Sequence, residues 1–316
     1  MHLAAATLAL PFFKLGELNI GLPIQSFGIL VAIGIVIGTH VLRRYAAWHG
    51  VAGEHIRGLT GWIMVSGLLG AHVFDVIVYD WPRFAHDPLI LFKSFSISSY
   101  GGFLGGALGF AVYVTWKRLP GRLMADVAMV GLLPAFSIGR IGCSVVHDHV
   151  GAAVQNVNAW YAALAIDYPT DPKLFGSQVV QQLVAAHPGT GETIAAWNLG
   201  LLELLYLIPV NALILWLAFR ASKRMPAGFL AVLLGMVYAP VRFFLEYLRP
   251  STTDPRYLSL TFAQWCSILA FAVAVYVASR LVRNGKPAET VARASREATA
   301  RLRLLDAKDV AQRPAP

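Results

Sequence analysis

Seven stretches of about twenty mostly apolar residues, at 22–42, 59–79, 97–116, 124–146, 200–219, 226–247 and 262–282, constrain this chain more than anything else in it. A helix needs ~20 such residues to cross the hydrocarbon core of a bilayer. Inside lipid only a helix or a closed barrel satisfies its own backbone hydrogen bonds. Composition agrees. Charged residues make up 14% of the chain and hydrophobic residues 57%, against roughly 25% charged in soluble domains. A water-exposed surface is not built from so few polar groups. The pattern predicts an all-α, polytopic membrane protein with about seven transmembrane helices. The two cysteines, Cys143 and Cys266, lie in apolar stretches and offer neither a disulfide framework nor a metal-binding spacing. No metal and no cofactor is expected.

Charge sets the orientation. Cytoplasmic loops hold the excess of Lys and Arg. The segments after spans one, three and five, together with the tail, carry eighteen of the 26 basic residues, and the opposite side carries six. The N-terminus is therefore expected outside and the C-terminus in the cytoplasm. The net charge of +9 is then a topology signal, and no nucleic-acid partner is implied. Residues 1–21 read as a periplasmic lead-in, because the apolar run Leu3–Phe13 lacks a preceding basic segment and Lys14 follows it. Residues 22–282 form the membrane domain. Its loop 147–199, with Trp160, Tyr161, Tyr168 and Trp197, is long enough to predict a small periplasmic subdomain or lid. Residues 283–316 form an Arg-rich cytoplasmic tail, either a short helix on the anionic inner leaflet or a solvated segment.

Ionisable groups at bilayer depth are costly and mark functional sites. Arg140 lies in FSIGRIGC, and Arg242 and Glu246 lie in PVRFFLEYLRP. Arg242 and Glu246, four apart, share a helical face and can pair, which on its own also suits a structural ion pair. Arg140 has no carboxylate within a helical turn, so it needs a partner from another helix or an anionic ligand. A guanidinium stays charged and forks onto phosphate oxygens, and two of them beside lipid read as a phospholipid headgroup clamp. In SSYGGFLGGALG, Gly101, Gly105 and Gly109 recur every four residues, with Gly102 beside them. Close helix packing explains them, and a headgroup seat beside Tyr100 is the alternative. The triplet His147-Asp148-His149 follows span four as ordinary interfacial polar residues, a proton acceptor or half of a metal site. Buried Asp75, Glu203 and His72 are candidate orienting partners.

Together these segments resemble the prolipoprotein diacylglyceryl transferase family over roughly residues 20–282. The most specific match is to the GRIG-x8-G signature, through Gly139, Arg140, Ile141, Gly142 and Gly151. VRFFLEYLR matches the late-helix arginine and glutamate through Arg242 and Glu246, and TFAQW resembles the start of the last span. SFGILVAIG is similar to the first span and YGGFLGG to the HGG segment. LGLLELLY is similar to the QLYE segment through Glu203, and GAHVFD stands in place of the GxR segment.

The resemblance implies an enzyme of the bacterial inner membrane. It would move a diacylglyceryl group from phosphatidylglycerol to the lipobox cysteine of a preprolipoprotein, with loss of glycerol phosphate. Arg140 and Arg242 would hold the phosphate, Glu246 would orient Arg242, and Gly101, Gly102, Gly142, Gly151 and Glu203 would line the substrate. The family usually has His where this chain has Tyr100, Tyr where it has Phe27, and Asn where it has Cys143. That takes a His base at position 100 out of reach and leaves Tyr100, His147 and His149 as candidates. The competing readings are a transporter or flippase for an anionic lipid or metabolite, and a family paralogue without activity.

Overall fold

The computed structural model describes residues 8–15, 18–19, 23–93, 96, 98–250, 253 and 256–311. In chain order its elements begin with strands β1 (Leu10–Pro11), β2 (Leu18–Asn19) and β3 (Pro23–Ile24) and helices α1 (Ser26–Trp48) and α2 (Gly53–Phe74). A π-helical turn, Asp75–Tyr79, extends α2 and leads to α3 (Trp81–His86), α4 (Ile90–Lys93), α5 (Ser99–Trp116) and α6 (Gly121–Val146). The long loop contains β4 (Val150–Ala153), β5 (Ala165–Pro169), α7 (Gln178–Ala186) and β6 (Thr193–Asn198). Then come α8 (Leu199–Arg220), α9 (Phe229–Leu245) with a closing 3-10 turn at Glu246–Leu248, β7 (Arg256–Tyr257), β8 (Leu260–Thr261), α10 (Phe262–Asn284) and α11 (Ala288–Ala311).

Among the described residues, six helices are long and apolar enough to cross a membrane: Ser26–Trp48, Gly53–Tyr79, Gly121–Val146, Leu199–Arg220, Phe229–Leu248 and Phe262–Asn284. The chain is a polytopic, mostly helical membrane protein. The expected stretch at 97–116 is also helical, as α5, but it is not one of the six. Its 18 residues extend only ~27 Å at 1.5 Å per residue, and five glycines, at 101, 102, 105, 106 and 109, dilute its apolar character.

Two compact units are formed. The first takes the chain up to residue 38 with 130–217 and 230–283, and the second takes 39–129, 218–229 and the chain from 284 onward. In the first, α1 and α6 touch backbone to backbone. A Cβ on Gly34 would lie 2.8 Å from the Ala135 carbonyl oxygen, and one on Gly38 would lie 2.6 Å from that of Gly131. The long loop, expected as a small subdomain or lid, folds as a mixed α/β subdomain. Its sheet runs β1-β5-β6-β4, with β1 parallel to β5 and the other pairs antiparallel. Tyr168, Phe175, Val180 and Ile194 fill the core under α7, whose first turn is capped by the Ser177 hydroxyl accepting from the Val180 amide. The first strand comes from Leu10–Pro11, so part of the lead-in belongs to this sheet.

In the second unit α5 lies on α2 with almost no side chain between them. Gly70 would bring a Cβ to 2.8 Å from the Gly105 Cα, and Gly101 and Gly105 would strike the carbonyls of Gly70 and Ser66. The tail forms α11, and Ala288 and Ala292 bury their methyl groups against Leu123 and Ala227. The Ala288 amide donates to Met225 O at 2.8 Å and Arg296 Nη1 to His49 O at 2.6 Å.

Candidate functional site

The first unit gathers most of the intramembrane charge. Arg140 projects from α6, and Glu203 of α8 meets it, Nη2 to Oε2 at 3.1 Å, with side-chain exposures of 12% and 5%. The partner that Arg140 lacks on its own helix is thus supplied by Glu203. From α9 the Tyr238 hydroxyl donates a short hydrogen bond to the other Glu203 oxygen, Oε1. Arg140 Nη1 also donates to Cys143 Sγ at 3.8 Å, and its guanidinium lies 4.9 Å from the centre of the Phe136 ring. Its Nε is buried with no hydrogen-bond partner among the described residues. A buried N–H without a partner costs about 1–3 kcal/mol, so an acceptor there would be stabilised.

On α9 the expected i, i+4 pair is present. Arg242 Nη1 donates to Glu246 Oε2 at 2.6 Å, and Arg249 Nε lies 3.6 Å from the same oxygen. Glu246 is 1% exposed, and its Oε1 has no hydrogen-bond partner among the described residues. Arg140 and Arg242 lie within electrostatic reach of one another and of the Tyr238 hydroxyl. Arg140 and Arg242 are thus held by two carboxylates, Glu203 and Glu246, with Arg249 beside the second. Tyr238 escaped the sequence reading, although it lies four residues before Arg242 on the same helical face.

The triplet after α6 divides its roles. His147 is buried at a positive φ of 57°. Its Nε2 lies 2.7 Å from Phe13 O, and its Nδ1 lies 3.0 Å from Asn198 Nδ2 and 3.3 Å from the Tyr168 hydroxyl. The ring donates to Phe13 and accepts at Nδ1, and burial pushes its pKa down, partly offset by the Phe13 carbonyl. Both nitrogens are occupied in holding the N-terminal strap to the sheet. His149 differs. Its Nδ1 lies 2.5 Å from Asp148 Oδ1, with side-chain exposures of 27% and 40%. The Cys143 thiol, an Asp148 carboxylate oxygen and a ring nitrogen of His149 all lie within 4.8 Å of one another. Two ligands of a tetrahedral zinc sit about 3.3 Å apart, given bonds near 2.0 Å. The shorter Asp148–His149 separation is that of a hydrogen-bonded pair.

The signature glycines are not equivalent. A Cβ on Gly142 would lie 2.9 Å from the Phe27 ring, and one on Gly151 would lie 2.7 Å from Leu248 O, whereas Gly139 faces open space. Tyr100, Gly101 and Gly102 belong to the second unit, at the start of α5. There Gly101 serves the contact with α2, and Gly102 has ordinary contacts with Ala71 and Gly67. His72 uses both ring nitrogens on carbonyls, Ser96 at 2.9 Å and Leu91 at 2.7 Å.

A model of the prolipoprotein diacylglyceryl transferase family matches residues 16–280. The chain is 28% identical over 286 residues to the phosphatidylglycerol–prolipoprotein diacylglyceryl transferase of Thermosynechococcus vestitus, covering 89% of this chain and 94% of the relative. It is 27% identical over 250 residues to phosphatidylglycerol–prolipoprotein diacylglyceryl transferase 2 of Clostridium perfringens, covering 77% and 84%. The corresponding relative in Gloeobacter violaceus is 27% identical over 234 residues, covering 72% and 78%.

Proposed function

The chain belongs to the prolipoprotein diacylglyceryl transferase family, and on that premise we propose that it transfers a diacylglyceryl group from phosphatidylglycerol to the lipobox cysteine thiol of a preprolipoprotein, releasing glycerol phosphate. The observation that carries the chemistry is the buried cluster of Arg140 and Arg242 with its unpaired Arg140 Nε. Glu203 and Glu246 fix the two guanidiniums in orientation, and the Arg140 Nε is left without an acceptor among the described residues. A phosphodiester supplies the missing acceptor oxygens.

In this reading Arg140 and Arg242 grip the phosphate, Tyr238 steadies Glu203, and Glu246 orients Arg242. When the glycerol carbon–oxygen bond breaks, negative charge grows on the departing phosphate. Donors aimed there bind the transition state more tightly than the ground state and lower the barrier. The same cationic field favours the thiolate form of the incoming cysteine.

The site of action is the bacterial cell inner membrane, with the N-terminus and the 147–199 subdomain in the periplasm and the C-terminus in the cytoplasm. Opposite termini require α5 to cross as well. Its glycine-seated packing on α2 shields backbone from lipid and tolerates the lower apolarity.

Complementation of a strain depleted of its own transferase tests the reading, with lipidation of a lipobox peptide as readout. Wild type is expected to rescue. Arg140→Ala and Arg242→Ala are each expected to lose at least ~100-fold in activity, the scale of removing a donor to a developing anion. Wild type that binds phosphatidylglycerol but leaves the peptide unmodified would overturn the transferase reading. Full activity in both variants would overturn the clamp.

A further inference from the structure

Attack on the lipid requires the peptide thiol to lose a proton, and an imidazole with one free nitrogen is the side chain best suited to accept it near neutrality. In the first unit His147 has both nitrogens engaged, with Phe13 O and with Asn198 and Tyr168. His187, like His149, has only its Nδ1 engaged, with Leu183 O at the end of α7, but among the described residues it is not grouped with Cys143 and Asp148. His149 is placed differently. Its backbone is anchored, because its carbonyl accepts the Leu199 amide at 3.0 Å where α8 begins. Its Nδ1 donates to Asp148 Oδ1 at 2.5 Å, so the neutral ring carries its proton on Nδ1 and presents a bare Nε2. That is the arrangement by which a carboxylate sets the tautomer of a general base.

The pair also stands beside the arginine cluster. Arg140 Nη1 donates to Cys143 Sγ at 3.8 Å, and that sulfur lies within 4.8 Å of the Asp148 and His149 polar atoms. The charged and titratable groups in view of His149 are thus Asp148 beside it and, from α6, Cys143 and Arg140. The imidazole is partly exposed at the edge of the buried arginine cluster, so it is open to water on one side.

We propose that His149, oriented by Asp148, is the general base that takes the lipobox thiol proton. The inference rests on the transferase reading above. The thiol S–H proton passes to Nε2, and the sulfur lone pair forms the S–C bond at the glycerol carbon. The C–O bond to phosphate breaks with its electron pair on the departing glycerol phosphate, and the imidazolium returns its proton to water or to that product.

The test uses full-length protein in phosphatidylglycerol-containing vesicles with a lipobox peptide. Wild type, His149→Ala and Asp148→Asn are compared with and without added imidazole. His149→Ala is expected to lose ~10²–10⁴-fold in kcat with little change in KM for lipid, and millimolar imidazole is expected to restore part of the rate. Asp148→Asn is expected to lower kcat without imidazole rescue, because the ring remains but its tautomer is no longer set. His149→Ala within threefold of wild type overturns the assignment, and so does a loss that imidazole does not restore, which would mark a structural role. An inactive wild type would instead overturn the transferase reading itself.

Discussion

A guanidinium inside a membrane persists only where its charge is met. At Arg140 the meeting is incomplete by design of the surroundings: Glu203 takes Nη2, Cys143 takes Nη1 weakly, and Nε is left buried. Replacing either member of such a buried pair strands the other, at a cost of about 3–5 kcal/mol, so Glu203 is a structural condition for Arg140 as well as a neighbour. Just past the end of α1, outside the span, His49 shows single-residue electrostatics of another kind. It is buried, and its Nε2 lies 3.2 Å from the Ser222 hydroxyl. Burial, and then the charge of Lys223, push its pKa down from 6.5 to about 4. The folded state therefore disfavours the proton that the unfolded chain accepts. Its contribution to stability is complete above pH 6.5 and is lost as pH falls from 6.5 toward 4. Thermal unfolding of wild type and His49→Gln across that window checks this. The wild-type Tm should fall faster with acid than the variant's, and parallel curves would refute the assignment.

At the scale of elements, close approach decides which glycines matter. Gly151 on β4 sits under the end of α9, where a Cβ would lie 2.7 Å from Leu248 O and 2.8 Å from Trp197 Cβ. Backbone on one side and a strand neighbour on the other leave little room to yield. Gly151→Ala is expected to destabilise by about 1–3 kcal/mol, as overpacking does, and to disturb Arg249 one residue beyond the contact. Gly139, in the same signature, meets nothing within 4 Å. Gly139→Ala should be neutral or slightly stabilising, since Ala is favoured over Gly inside a helix by ~1 kcal/mol. Denaturation of both variants in detergent distinguishes them, and equal effects would contradict the geometry. The start of α10 shows how a short motif acts through local structure. In TFAQW the Thr261 hydroxyl accepts the Gln264 amide at 3.3 Å, and Gln264 Oε1 accepts the Thr261 amide at 3.0 Å. This capping box stops the helix from fraying where it enters lipid.

At the scale of the whole molecule, the proposed topology makes a prediction about compartments. The tail carries α11, pinned by Arg296 to His49 and by Ala288 to Met225, and the proposed topology puts that tail in the cytoplasm and residues 147–199 in the periplasm. A fluorescent protein fused at the C-terminus should therefore fluoresce, because it matures in the cytoplasm. Alkaline phosphatase inserted in the exposed turn at Gly189, with its φ of 95°, should be active, because it requires the periplasm. The reverse pattern would invert the topology and with it the access of a secreted peptide to His149.

Hydropathy and charge are properties of residues taken singly and summed along the chain. The apolar stretches, the helical class, the basic asymmetry and the position of Arg140, Arg242 and Glu246 within apolar stretches were therefore legible in the sequence, and so was the family resemblance. Even there the sum had limits: 97–116 is helical, yet shorter and less apolar than the six helices that qualify as spans. Partnership between distant residues is not additive along the chain. That Glu203, rather than a ligand alone, answers Arg140 from 63 positions away follows from α8 lying against α6. Tyr238 joins them only because α9 presents it there. In sequence His147 and His149 are equivalent neighbours of Asp148. Only the folded strap and sheet, which occupy both nitrogens of one ring and leave the other half-exposed, tell a tether from a candidate base.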